Sequence, residues 1–301
     1  MTIERRSWSI MPDSNLDWDV EKVRMSYRIP GENRPRFAPK SAIVRTDTGA
    51  FLGDVKDRYQ VFPNEKAKEW VNELTDTGFW SKETEGCFKG GEICYSLLKQ
   101  EEMEVIPGDI YKQFLLFSWS HNGKTANIIT PTSIRVWCTN TLKSALLEGK
   151  KEGISSRILH NINMLPTYEA IQGIYQESVD NFLTMKENLK KMLDVKMTDN
   201  QLELYAKICF PVVVDEGKAK TIAENNREDL SKMLFDGASG HKELGIKNTA
   251  YGAFHATSEY IEHVQGGNRI KDRGFNILFG KGNNDLKKSL VNIDKALEKV
   301  A

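Results

Sequence analysis

No apolar run in this 301-residue chain approaches the ~18 residues that a membrane-spanning helix requires, so no membrane span is expected. The opening residues MTIERRSWSI hold no apolar stretch of the secretion-signal kind, and a cytoplasmic location is the expectation. Net charge is missing too: 42 Lys and Arg cancel 42 Asp and Glu, leaving no global field to draw the protein onto nucleic acid. Any nucleic-acid site must therefore be a local basic surface. Cysteine is sparse, with Cys87, Cys94, Cys138 and Cys209 in no C-x-x-C pair, which argues against a zinc knuckle and a redox dithiol and reads as reduced, mostly buried side chains. Cys138 lies close to Asn140, but no histidine nearby in sequence can take up a thiol proton.

Catalytic signatures are absent as well. There is no G-x-S-x-G elbow and no H-E-x-x-H pair, and the glycines of GGNRIKDRGFNILFGKG match neither the dinucleotide nor the Walker pattern. No cofactor and no metal is expected, and a binding or assembly role is favoured over an enzyme.

What is present is ordinary globular composition, 40% hydrophobic and 28% charged, with a β-rich first half and a helical second half. Asp47-Thr48-Gly49, Lys89-Gly90-Gly91 and Asn122-Gly123 each separate two runs suited to strands, which predicts three hairpins, the last with both turn residues at positive φ. Pro131 is expected to end the strand after that turn, with a further strand over Ser133 to Cys138 and a helix from Thr141 capped by Thr139 or Asn140. Asn64 is expected to cap a helix bearing Ala67, Trp70, Val71 and Leu74 on one face. Periodicity predicts a long helix over Thr167 to Leu193 that buries Ile171, Ile174, Phe182 and Leu189, a second that starts near Thr198 as its cap and stops before Pro211, and a third over Lys218 to Leu234. The resulting class is α+β: one antiparallel sheet of hairpins over Phe37 to Leu147 with helices on one face, then a helical C-terminal half. Division into residues 1–160, 161–240 and 241–301 is expected.

Within Ser133 to Cys138, strand alternation sets Arg135 and Trp137 on one face and Ile134, Val136 and Cys138 on the other. Arginine beside an exposed aromatic ring suits single-stranded nucleic acid, since bases stack and phosphates need neutralising; burial of Trp137 and Trp119 under helices, with Arg135 in an ion pair, is the structural alternative. Arg58 can reach a phosphate with Asp57 orienting it, or pair with Asp57 to fix the hairpin exit, and Lys124 joins the candidate contacts at its own hairpin. Arg269, Lys271 and Arg273 begin a basic C-terminal segment that can meet phosphates or form a solvated charged face. His255, Glu259 and His263, four apart, line one face of a regular helix, a spacing that admits a metal but more often marks a packed polar face.

Thr130-Pro131, Ile134-Arg135-Val136, Cys138 and Asn140-Thr141-Leu142 are joined by LDWDVEK from Leu16, VRTDTGAFLGDVKDRYQVFPNEKA from Val44 and NTAYGAFHATSEYIEH from Asn248. Together with Arg273 and the LFG at Leu278, these ordered blocks resemble a phage- and plasmid-borne family whose central domain is of unknown function. The resemblance implies the company of mobile elements that handle their own DNA, and no particular reaction. The expectation is a protein that binds single-stranded DNA, as a homo-oligomer, and assists annealing or protection. A counter-defence or host-takeover protein that binds a bacterial protein is the alternative.

Overall fold

The structure, a computed structural model, describes residues 15–135, 140–143, 156–158, 168–212, 217–266, 274–276 and 281–298. Two antiparallel sheets build the first half. Sheet A has the order β1 (Val20–Tyr27), β2 (Arg36–Arg45), β3 (Phe51–Lys56). After α1 (Asn64–Asp76) comes sheet B, with β4 (Ser81–Phe88), β5 (Ile93–Ile106), β6 (Asp109–Ser120) and β7 (Asn127–Arg135). Beyond β7 lie β8 (Asn140–Lys143) and β9 (Ser156–Ile158), both paired with it. The helices α2 (Tyr168–Asp194), α3 (Asp199–Cys209), α4 (Lys218–Asp236), α5 (Ala250–Glu259) and α6 (Lys281–Glu298) form the C-terminal half, and a π-helical turn, Tyr260–Val264, continues α5. The class is α+β, as the sequence predicts, but the strands divide between two sheets because β1 recruits β2 and β3 into a separate layer.

All three predicted hairpins form, each with a local reason. Gly49, Gly90, Gly91 and Gly123 take positive φ, the conformation in which a Cβ is penalised. At Asn122 the mechanism differs from the expectation: its own φ is not positive, and its Oδ1 accepts from Lys124 N and Thr125 N at 2.9 and 3.0 Å. The side chain thus folds a wider loop between Ser120 and Asn127 instead of a two-residue turn. A further hairpin joins β5 to β6 through Pro107-Gly108, with proline presetting the turn and Gly108 at φ 83°.

Three more expectations need correction. Pro131 does not end a strand: β7 runs through it from Asn127 to Arg135. The ladder shows why. His121 N–H donates to Glu92 O at 2.8 Å, which makes Ile93 and Ser120 a non-hydrogen-bonded pair and fixes the alternation across the sheet. Pro131, opposite Leu115, then turns its missing N–H away from β6, into the gap between β9, which pairs with 127–129, and β8, which pairs with 132–135. Residues 140–143 are strand, not the start of a helix, because the open edge of β7 offers Thr132 to Arg135 as hydrogen-bond partners. Asn64 does not cap α1; Pro63 is the N-cap, and the Asn64 side chain is buried.

The Asn64 amide instead ties three elements. Its Oδ1 accepts from Trp119 Nε1 at 2.8 Å and His121 Nε2 at 2.9 Å, and its Nδ2 donates to Trp18 O at 2.8 Å. Since Oδ1 only accepts, His121 carries its proton on Nε2. Around this hub Trp70, Phe117, Phe62, Ile43 and Val55 close one apolar cluster between α1, sheet A and one face of sheet B. A second cluster gathers α2 to α6 on Val105 and Tyr111 at the far end of β5 and β6. There Tyr251 donates to the Asp109 carboxylate, while the Tyr111 hydroxyl lies 3.1 Å from that of Tyr251 and 2.9 Å from His255 Nε2. With Tyr251's proton committed to Asp109, Tyr111 donates to Tyr251 and accepts from His255, a one-way chain joining sheet to helix. The long helix forms as predicted and buries Phe182 and Leu189; the side chains of Ile171 and Ile174 lie outside the described residues.

Candidate nucleic-acid interface

The β1–β2 hairpin is an exposed basic feature of the described structure. From Val23 to Lys40 no residue is buried. β3 pairs with β2 only from Lys40 to Val44, so beyond Lys40 the hairpin is a two-stranded ribbon without a third strand. The β1–β2 ladder shifts register between Arg24 and Ser26, opposite Pro39, whose absent N–H breaks the pairing and frees the outer half to turn from the body. Arg24, Arg28, Arg34, Arg36 and Lys40 lie on this arm against Glu32 alone. Glu32 is held by Arg36, at 2.9 Å to Nε. Arg28 and Arg34 make no ion pair among the described residues.

Two large rings stand in solvent on the same ribbon, Phe37 at 58% and Tyr27 at 49% exposure. They belong to successive cross-strand pairs, Ser26 with Phe37 and Tyr27 with Arg36, so they lie on opposite faces. Arg24 covers the Phe37 ring, its guanidinium 4.0 Å from the centroid. Each face therefore offers one aromatic plane and one guanidinium.

At the base of the arm lie two of the cations expected from the sequence. Arg58 is exposed in the turn after β3, and Lys124 is exposed in the β6–β7 loop. That loop rests on β3: a Cβ on Gly53 would meet Asn122 O at 2.5 Å, and one on Gly123 would meet Val55 Cγ1 at 2.6 Å. Lys124 thereby approaches Asp54, whose carboxyl is held below its ordinary range chiefly by a hydrogen bond from Lys40. The proposed orienting role of Asp57 is not what is found: its carboxylate takes Ser41 Oγ at 3.5 Å, and its carbonyl accepts from Lys22. Arg135 ends β7 opposite Tyr111, with its side chain outside the described residues, as are Trp137, Arg269, Lys271 and Arg273 altogether. Trp119, for which burial is the structural alternative, is 1% exposed and belongs to the core.

The row His255, Glu259, His263 does not converge. His255 is fully buried against Tyr111, Glu259 accepts from Ser239 N and Oγ at 2.9 and 2.7 Å, and the π-helical turn at Tyr260–Val264 changes the register before His263. Among the described residues no cluster of three His, Cys, Asp or Glu is arranged to hold a metal ion, and no helix is long and apolar enough to cross a membrane.

Fold and surface together define an α+β protein with an antiparallel double-sheet half, a helical half and a projecting basic arm. The chain belongs to the family described as Domain of unknown function (DUF932), whose model matches residues 51–289. That match opens at the first residue of β3, so the arm precedes it. Searches of curated proteins and of solved structures return no match.

Proposed function

We propose that this protein binds single-stranded DNA through the β1–β2 arm and the basic corner at its base, acting as an oligomer in annealing or protection on a mobile element. The observation that carries the reading is the pairing, on one unburied ribbon, of unopposed arginines with two exposed rings. Phosphates draw the guanidinium groups, and any base can stack on the Tyr27 or Phe37 plane, giving affinity without demanding a sequence. Zero net charge is no obstacle, because the field near the ribbon is set by Arg24, Arg28, Arg34 and Arg36 within about a Debye length of 10 Å. The mobile-element setting rests on the sequence resemblance, and the oligomer is checked by light scattering with and without oligonucleotide.

Binding of labelled single strands and duplexes at two salt concentrations tests the proposal. The expected result is tighter binding of the single strand, weakened by salt, and lost in the double variant Arg28→Ala/Arg34→Ala with its melting temperature kept. Equal binding by that variant overturns it.

Sheet A also favours a second reading. Its outer face carries Phe51 at 60% and Val23 at 42% exposure, on strands flanking Val44 and Ala42 of β2. Such an apolar face suits a protein partner, as in a counter-defence role. Absence of any salt-sensitive oligonucleotide binding leaves this second reading in place.

A further inference from the structure

Cys87 and Cys94 lie directly opposite each other on β4 and β5 and on the same face of sheet B, Cys94 buried within the apolar cluster and Cys87 half-buried at its rim. The ladder fixes what kind of pair they make. Because Ile93 and Ser120 are non-hydrogen-bonded, Cys94 turns its N–H and C=O toward β6, and its pairing with Cys87 on the other side is non-hydrogen-bonded. Pairs of this kind hold their Cα atoms about 4.5 Å apart, within the ~4.4–6.8 Å that a disulfide spans. The turn between them is held from outside: Arg45 Nη1 donates to Gly90 O at 2.9 Å while its guanidinium lies 4.0 Å from the Trp18 ring centroid. Gly91 packs so closely on Trp18 that a Cβ there would meet Cη2 at 2.7 Å.

We propose that Cys87 and Cys94 form a thiol–disulfide exchange site, closing a reversible intramolecular disulfide across the β4–β5 hairpin when a low-molecular-weight disulfide such as glutathione disulfide is present. In the first step the Cys87 thiolate attacks one sulfur of that disulfide; its S–S bond breaks, and one glutathione thiolate leaves and takes up a proton. In the second step Cys94, losing its proton to water, attacks the Cys87 sulfur of the mixed disulfide, and the second glutathione departs. The protein gives up two hydrogens, and one glutathione disulfide becomes two thiols. The order follows from access, since only Cys87 reaches solvent. Burial pushes the Cys94 thiol well above its ordinary range, with Arg45 opposing it, so the second step is the slower one.

The test uses the full chain, incubated with glutathione disulfide, alkylated and digested with trypsin. Cleavage after Lys82, Lys89 and Lys99 puts the two cysteines on separate peptides, 83–89 and 90–99. The expected product is those peptides joined, and separated again by dithiothreitol. Cys94→Ala is expected to retain glutathione on Cys87, and Cys87→Ala to leave Cys94 unmodified in the folded protein. A wild-type chain in which Cys87 stops at the mixed disulfide, joins Cys138 or Cys209 instead, or does not react overturns the proposal.

Discussion

Two kinds of residue set the expected mutational behaviour, buried polar hubs and exposed rings. Asn64 serves Trp119, His121 and the Trp18 carbonyl at once, so Asn64→Ala removes a shared acceptor from buried donors. The expected loss is about 1–3 kcal/mol or more in urea unfolding, because the abandoned groups keep their desolvation cost. Tyr251→Phe is expected to lose a similar amount, about 1–3 kcal/mol, by cutting the chain between Asp109 and Tyr111. Phe37→Ala and Tyr27→Ala should leave the melting temperature nearly unchanged, as both rings face solvent. On the DNA-binding reading each lowers single-strand affinity by about 1–3 kcal/mol without altering the salt dependence. Arg28→Ala, in contrast, should reduce the salt slope by about 0.7 for one lost single-strand phosphate contact. Titrations of the three variants at several salt concentrations separate stacking from charge, and a Phe37→Ala protein that unfolds early would show the ring to be structural instead.

At the scale of elements, the arm and the loop on β3 behave differently. Shortening the ribbon by replacing residues 28–35 with a two-residue turn removes no buried side chain, so thermal unfolding should be preserved while oligonucleotide binding falls. Gly53→Ala, one small change, drives a Cβ into Asn122 backbone and is expected to cost about 1–3 kcal/mol as β3 and the loop separate. Much of the element order is legible in the sequence, because hairpin glycines and the 3.6-residue periodicity of α2 act locally. The helix expected at Thr141 fails for a non-local reason: capping residues cannot report that β7 has an open edge beside them. The arm itself is also hard to read. Arg24 to Lys40 shows its cations plainly, but only the early end of β3 reveals that the ribbon stands alone. Likewise the C-x-x-C rule overlooks Cys87 and Cys94, because antiparallel pairing brings together residues that the chain separates by a turn.

Across the whole molecule, sheet B joins two apolar clusters end to end, and α2 spans the junction. Its Tyr175 stacks on Phe79 at a 4.3 Å centroid distance in one cluster's rim, its Ser178 donates to Gln100 at 2.9 Å, and its Leu189 is fully buried in the other cluster. Leu189→Ala is therefore expected to cost about 2–5 kcal/mol. Near-ultraviolet signals from the tryptophans of the first cluster should change in the same transition as the helical signal of the second. Two separated transitions would show instead that the halves unfold independently. Pro131 carries a consequence of another kind. Open sheet edges invite strands from neighbouring chains, and at high concentration that leads to fibrous or swapped assemblies. Here the side of β7 away from β6 is divided between two short strands with an N–H missing between their pairings, so an incoming strand finds no continuous row of donors to copy. A proline that first reads as the end of a strand thus protects the strand from acting as a template.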